Sequence, residues 1–288
     1  MHDLPVDSGT GHVFKFRGGQ FDLSSRTHIV GILNVTPDSF SDGGRFFDRT
    51  SALRHAERMV AEGADVIDVG GESTRPYAEA VDESEEIRRV VPTIREIVKR
   101  FGVTVSVDTC KAPVAEAALE AGAHMVNDVS ALRFDPNTAR LVAKHEAGLI
   151  LMHMKGTPRT MQDNPIYVDV VAEITAFLGK AIASATADGV TRESIIVDPG
   201  IGFGKTVSHN LAILRNLREL KSLGRPILVG PSRKSFLGEL LDLPPGQRLH
   251  GTLAAVTAAI LSGASLVRVH DVKEAREAAV IADAIARG

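Results

Sequence analysis

The sequence predicts an α/β fold, a (β/α)8 TIM barrel with an N-terminal β-hairpin closing its bottom. Three observations carry this expectation. Seven times the order helix, glycine, short apolar run repeats, at Gly63, Gly102, Gly122, Gly148, Gly189, Gly224 and Gly263, and a glycine can take the left-handed conformation that ends a helix. An eighth apolar run, Ile29 to Leu33, comes first. The runs are nearly all apolar, as in Pro226-Ile227-Leu228-Val229, which is how parallel strands look when both faces are buried.

The length of 288 residues, 44% of them hydrophobic, suits one barrel. Residues 1–11 read as a flexible lead and residues 12–288 as a single domain. From His12 to Leu23 the chain alternates as two short strands around Gly18-Gly19, the pattern of a hairpin, here expected to plug the barrel bottom. Ile87, Val90, Val91, Ile94, Ile97 and Val98 form one helical face. Asp82 with Glu85 predicts a capping box at its start, and Pro92 predicts a kink or a break within it. Leu211, Leu214, Leu217 and Leu220 form another helical stripe that reads as core packing.

The net charge of −3, from 33 Lys+Arg against 36 Asp+Glu, gives no basic excess for nucleic acid or an anionic membrane. A single cysteine, Cys110, excludes an intrachain disulfide and suits a reducing compartment. The N-terminus shows no long apolar core. The most apolar stretch, Leu253 to Val267, is interrupted by Thr257, Ser262, Gly263 and Ser265 and is too short to span a bilayer. A cytoplasmic protein without nucleic-acid or membrane partners is expected.

Closing the strands into a barrel brings their polar exits to one rim: Asn34, Asp68, Asp108, Asn127, His153, Asp198, Ser232 with Lys234, and Arg268 with His270. In this architecture the C-terminal rim carries the active site. Asp108, Asn127 and Asp198 offer two carboxylates and an amide, able to pair with a flat heterocycle or to ligate a metal; capping the following helix is the plain alternative for each. Arg268 and His270 share a face by strand alternation, and loops after the seventh and eighth strands commonly bind phosphate. Asp271 follows His270 and is placed to fix its tautomer. Lys234 reads as a Schiff-base former, an anion binder or a solvated helix start. His153 reads as rim packing. The loop Asp198-Pro199-Gly200-Ile201-Gly202-Phe203-Gly204-Lys205 lacks the spacing of a P-loop, and Phe203, held between glycines, is expected to be exposed for stacking or to pack on the rim. Two glycine-rich stretches, Asn34 to Asp48 and Gly70 to Val81, are long enough for functional loops. The first mixes oxygen donors and hydroxyls; the second carries Arg75, a planar donor fork.

Several of these segments together resemble dihydropteroate synthases. They are Asn34-Val35-Thr36-Pro37-Asp38-Ser39-Phe40-Ser41-Asp42-Gly43-Gly44, Gly70-Gly71-Glu72-Ser73-Thr74-Arg75-Pro76, Ser106-Val107-Asp108-Thr109, Asn127-Asp128, the loop from Asp198 to Lys205, Ser232-Arg233-Lys234 and Arg268-Val269-His270-Asp271. Long motifs in one order, covering the chain from Phe14 onward, are far more specific than any single glycine pattern. Tyr77 departs from the pattern, which has glycine after Arg-Pro.

The resemblance implies condensation of 4-aminobenzoate with 6-hydroxymethyl-7,8-dihydropterin diphosphate, giving 7,8-dihydropteroate and pyrophosphate, with Mg²⁺ as cofactor and a homodimer as the assembly. It implies that Asp108, Asn127, Asp198 and Lys234 hold the pterin. Thr74, Arg75, Pro76, Phe203 and Ser232, with Lys234, would shape the aminobenzoate pocket. Asn34 would bind Mg²⁺ and diphosphate, Arg268 and His270 the diphosphate, and Asp38, Lys234 and Arg268 would act in catalysis. Three other readings stand beside it: a pterin-dependent methyltransferase on the same barrel, a Schiff-base aldolase using Lys234, and a pterin-binding regulator without catalysis.

Overall fold

Two strands precede the barrel, β1 (Val13–Phe16) and β2 (Gly19–Asp22), paired antiparallel. The computed structural model describes residues 13–36, 49–73 and 80–287, so the expected lead over residues 1–11 and most of the two long loops lie outside the described residues. Strands β3 (His28–Asn34), β4 (Val66–Gly70), β5 (Thr104–Asp108), β6 (Met125–Asp128), β7 (Gly148–Met152), β8 (Ile195–Asp198), β9 (Leu228–Val229) and β10 (Leu266–Val269) form one eight-stranded sheet. The paired strands run parallel, in the order β8-β7-β6-β5-β4-β3-β10-β9. The Val197–Ile227 bridge joins the two ends, with Val197 N donating to Pro226 O at 3.0 Å, so the sheet closes as the sequence predicts. Helices α1 (Arg49–Ala61), α2 (Glu83–Phe101), α3 (Ala112–Glu120), α4 (Asn137–Lys144), α5 (Val170–Ala187), α6 (Val207–Arg215), α7 (Ser235–Leu241), α8 (Leu249–Leu261) and α9 (Val272–Arg287) lie between and after the strands.

Strand alternation builds the barrel in layers. Val30, Val66, Met125, Ile150, Ile196, Leu228 and Leu266 point inward and form a buried apolar floor with Phe14, Phe16 and Leu23. Two residues further along the same strands stand Ile32, Asp68, Asn127, Met152, Asp198 and Arg268, so the period that lays an apolar floor also lays a polar layer directly above it. The hairpin does plug the bottom: Phe14, Phe16 and Phe21 cluster with ring centroids 4.8–6.4 Å apart.

The hairpin changes the meaning of one glycine. Six of the seven repeat glycines have positive φ, Gly63, Gly102, Gly122, Gly189, Gly224 and Gly263, whereas at the end of α4 it is Glu146 that turns left-handed, at φ 52°. Gly148 is instead the first residue of β7, and a Cβ there would lie 2.6 Å from Phe14 Cζ and 2.9 Å from Met125 Cγ. It is small to admit the plug, not to end a helix.

Three further expectations shift. α2 runs unbroken through Pro92; Asp82 caps it by accepting from Ser84 N at 2.9 Å, and Glu85 turns its carboxylate to Arg88 and Arg89 rather than back to the cap. The leucine stripe from Leu211 to Leu220 is divided between α6 and a 3-10 turn over Leu217–Leu223. The helix that comes nearest a membrane span by length and composition is α5, not the Leu253–Val267 stretch; its Val171, Ile174, Leu178 and Ile182 are buried against the barrel, the ordinary setting of an apolar core helix.

Replacing Gly148 with valine should lower stability by about 1–3 kcal/mol through overpacking against Phe14, read as a lower urea midpoint. An unchanged midpoint would contradict the assignment of this glycine to the plug.

Candidate active site

The polar layer is an ion cluster. Arg268 Nε donates to Asp68 Oδ2 at 2.6 Å and Nη2 donates to Asp108 Oδ2 at 2.6 Å. Asn127 Nδ2 donates to the same Asp68 oxygen at 3.0 Å. Asp68 is fully buried, and it is the site residue that sequence reasoning left without a role. β4 continues two residues past it to Gly70, so Asp68 is inside the barrel and not at a strand exit. The available signal was a carboxylate within the apolar run Val66-Ile67-Asp68-Val69, since a buried charge needs a partner.

Burial works against the charged guanidinium of Arg268, yet the charges of Asp68 and Asp108 overcome it and hold its pKa above the ordinary value. Burial raises Asp108, assisted by the negative charges of Asp68 and Glu86 and opposed by Arg268. Asp198 is pushed up to about 6 by burial, against the Gly200 N–H and the charges of Lys234, Lys205 and Arg268. Lys234 is brought down to about 8 by burial and by Arg268, and Lys205 to about 7 mainly by burial. Three carboxylates, Asp68, Asp108 and Asp198, thus face three cations, Arg268, Lys234 and Lys205.

Above the cluster, Lys234 Nζ lies 3.9 Å over the Phe203 ring. Phe203 is buried, packed on the rim and not exposed, the second of the two expectations for it: Val129, Met152, Met154 and Met161 pack around it, and the ammonium occupies the space over one face. Lys234 precedes α7 and follows Arg233, which has a left-handed φ of 58°. That turn is held from both sides, as Arg233 N donates to Thr252 Oγ1 at 3.1 Å and its guanidinium bridges to Asp271 at 2.5 and 3.1 Å.

Asp271 is therefore committed to Arg233, and the partner that fixes the His270 ring is Ser232, a correction to the tautomer expectation. Ser232 Oγ accepts from His270 N at 3.2 Å and lies 2.9 Å from His270 Nδ1. With the hydroxyl proton directed to Nδ1, the ring keeps its proton on Nε2. Burial and the nearby Arg233 and Arg268 push His270 down to about 3, so it meets an anion as a neutral N–H donor. Ser232, assigned to one pocket, and His270, assigned to another, are in direct contact.

Asn34 ends β3, opposite Gly70 in the β3–β4 register. A Cβ on Gly70 would stand 3.6 Å from both Asn34 Oδ1 and Asp108 Cβ, so Gly70 keeps open the space between them. Among the described residues no group of three or more His, Cys, Asp or Glu is arranged to hold a metal. The structure thus brings together Asn34, Asp108, Asn127, Asp198, Phe203, Ser232, Lys234, Arg268 and His270 around the barrel mouth. Asp38, Thr74, Arg75 and Pro76, and with them Tyr77, lie outside the described residues.

Removing the Asp68 carboxylate leaves a buried guanidinium short of a partner. Asp68→Ala should cost about 3–5 kcal/mol of unfolding free energy, measured in denaturant; a cost near zero would contradict the ion cluster.

Comparison with known proteins agrees with this geometry. Residues 30–270 match the pterin binding enzyme family. A dihydropteroate synthase of Synechocystis is 48% identical over 93% of this chain and 93% of its own. The Yersinia pestis dihydropteroate synthase, solved with a sulfonamide drug complex, superposes with a TM-score of 0.91 at 46% identity, covering 96% of this chain and all (100%) of that one. The Xanthomonas albilineans enzyme, solved with 4-aminobenzoic acid, gives a TM-score of 0.90 at 43% identity over 97% of this chain and 100% of that one. The sequence motifs, the closed barrel and the residues gathered at its mouth all lead to one conclusion: this chain belongs to the dihydropteroate synthase family of pterin binding enzymes.

Proposed function

We propose that the ion cluster at the barrel mouth is the pterin and diphosphate site of this family's reaction and that Lys234 and Phe203 border the arylamine. The protein is a transferase that condenses 4-aminobenzoate with 6-hydroxymethyl-7,8-dihydropterin diphosphate, releasing pyrophosphate and 7,8-dihydropteroate in folate biosynthesis. The observation that carries the site assignment is that Asn127 and Asp198, both buried, and the largely covered Asp108 stand at one end of the barrel above an apolar floor, Asp108 paired with Asn127 in register. A flat ring with adjacent N–H groups is complementary to such carboxylates.

The pterin deepens the logic of the Arg268 bracket. Its N–H groups compete with Arg268 Nη2 for the Asp108 carboxylate, so seating the ring frees that side of the guanidinium to turn to the diphosphate while Nε stays on Asp68. The diphosphate then meets the guanidinium and the neutral His270 N–H. These groups act where charge builds on the leaving oxygen as its bond to the pterin methylene breaks. The arylamine nitrogen attacks that carbon, forming the C–N bond, and its proton is lost afterwards. An arylamine is nucleophilic without prior deprotonation, so no strong general base is needed. Lys234 lies between the ring of Phe203 and the acids, where it borders both substrates.

Mg²⁺ fits this donor set in one way only. A single amide oxygen, Asn34 Oδ1, beside the open space at Gly70 suits an ion held mainly by substrate oxygens and water, which is how Mg²⁺ commonly binds with phosphates. When bound it neutralises diphosphate charge. Asp38 is assigned to act from the first loop, and Thr74, Arg75 and Pro76 to the aminobenzoate pocket, on the family pattern. Val280, Ile281 and Ile285 on α9, with Leu240 and Leu241 on α7, are exposed large apolar residues that a second copy would cover in a homodimer. A cytoplasmic setting accords with the single cysteine.

Pyrophosphate release from the purified protein, given Mg²⁺ and the pterin diphosphate, should depend on 4-aminobenzoate and stop with chelator; release indifferent to 4-aminobenzoate would overturn the reading. Arg268→Ala should weaken diphosphate binding and cut turnover, and unaltered kinetics would remove its role. Asp198 accepts pterin N–H groups only as a carboxylate, and its pKa is about 6. Pterin affinity should therefore be full at about pH 8 and fall below pH 6 by up to about tenfold per unit for one proton. Calorimetry showing flat affinity down to about pH 5 would contradict the assignment.

A further inference from the structure

The turn that carries Phe203 is bonded on every side, and one buried lysine outside the proposed substrate contacts is its centre. Gly200, Gly202 and Gly204 all have left-handed φ, at 70°, 82° and 64°. A side chain on Gly200 would overlap the His153 carbonyl oxygen, and one on Gly202 would press on Lys234 Cδ at 2.8 Å. Only glycine takes such a backbone freely, and hydrogen bonds fix where it lies. Gly200 N donates to Asp198 Oδ1 at 2.6 Å, Gly202 N donates to Asn210 Oδ1 at 2.8 Å, and Gly202 O accepts from Gln162 Nε2 at 2.9 Å. Tyr167 Oη donates to Gly204 O at 2.8 Å.

Lys205 closes this set. It is 3% exposed, and no carboxylate is bonded to it among the described residues. Its ammonium meets three acceptors instead: Phe203 O at 2.9 Å, His153 Nδ1 at 3.0 Å and His153 O at 3.4 Å. Three donors against three acceptors is the full capacity of a lysine. The contact with His153 also survives loss of the lysine proton, since an amine can accept from Nδ1–H where an ammonium donates to Nδ1. Burying a lysine among neutral acceptors is costly and is not needed to fill space, which an apolar side chain would do. What the arrangement gains is a fixed Phe203 carbonyl, and with it a fixed ring under Lys234.

We infer that Lys205, braced by His153 and assisted by Tyr167, is a positioning residue that sets the Phe203 ring as the wall of the aminobenzoate pocket. This rests on the assignment of Phe203 to that pocket. Lys205 touches no substrate in this account; it acts through the carbonyl of Phe203. Its loss falls on 4-aminobenzoate, because Asp108 and Asn127 are bonded to Arg268 and Asp68, and the Gly200 bond to Asp198 lies at the other end of the turn from the Phe203 carbonyl.

The test is a double-mutant cycle on the full-length protein, with KM for 4-aminobenzoate and pterin affinity both measured at about pH 8, above the Asp198 pKa of about 6. Lys205→Met should raise KM for 4-aminobenzoate by about 10- to 100-fold, as expected when a reacting group is misplaced by about 1 Å, while pterin affinity stays within about twofold. In a Phe203→Leu background the same substitution should add little, because coupled residues are not additive. If Lys205→Met is folded and its KM is that of the parent, or if the two effects simply add, the inference is overturned. Should Lys205→Met not fold, Tyr167→Phe removes one hydroxyl from the same turn: a raised KM that disappears in the Phe203→Leu background supports the inference, and an unchanged KM overturns it. Phe203→Leu alone separates the two levels. If it leaves KM unchanged, the pocket assignment falls and this inference with it; if it raises KM while Lys205→Met does not, only the inference falls.

Discussion

Arg268 held between Asp68 and Asp108 by 2.6 Å bonds is the constraint on which the rest of the barrel mouth depends. Acids buried to receive a heterocycle repel one another and resist ionisation. A guanidinium set between two of them lowers that cost, and its planar fork fits two carboxylates at once, as an ammonium would not. The bracket also joins distant parts of the sequence, since Asp68 and Arg268 are 200 residues apart along the chain. Because Arg268 is paired with Asp68 and Asp108, the site can be dry enough for strong electrostatics and still fold.

The bracket in turn stands on the floor beneath it. The hairpin phenylalanines and the inward strand residues close the lower barrel with a largely apolar layer, so the acids above are screened from solvent on that side. Gly148 is part of this arrangement although it lies a full layer away from the chemistry. At the opposite end, the turns carrying Phe203 and Lys234 take left-handed conformations at Gly200, Gly202, Gly204 and Arg233. Glycine takes this conformation without strain, whereas Arg233 carries the cost of a non-glycine residue there and lies next to Lys234, which faces the mouth.

Much of this was legible in the sequence for physical reasons. Fully buried parallel strands are written as apolar runs, and their polar exits are conspicuous, which is why Asn34, Asp108, Asn127, Asp198 and Arg268 could be named. Asp68 was visible but misplaced at a strand end, because composition does not reveal where a strand stops. Gly148 was read by its local neighbours as a helix terminator, whereas its smallness answers Phe14, a contact 134 residues distant that no periodicity encodes. The partners of side chains were the least legible. Asp271 follows His270 directly, yet it bonds Arg233 while Ser232, from another loop, orients the imidazole. Lys205 looked like the end of a glycine pattern, and only the fold brings His153 against it.

Pterin and diphosphate are coupled through Arg268 in this mechanism: a ring that takes up the Asp108 carboxylate releases the Nη2 side of the guanidinium. Thermodynamic linkage then requires each ligand to favour the other. The most direct measurement is the affinity for pyrophosphate, with Mg²⁺, in the absence and presence of a saturating pterin that carries no diphosphate. The account predicts tighter pyrophosphate binding when the pterin is bound, and loss of that enhancement in Arg268→Ala. Equal pyrophosphate affinity with and without the pterin would contradict it.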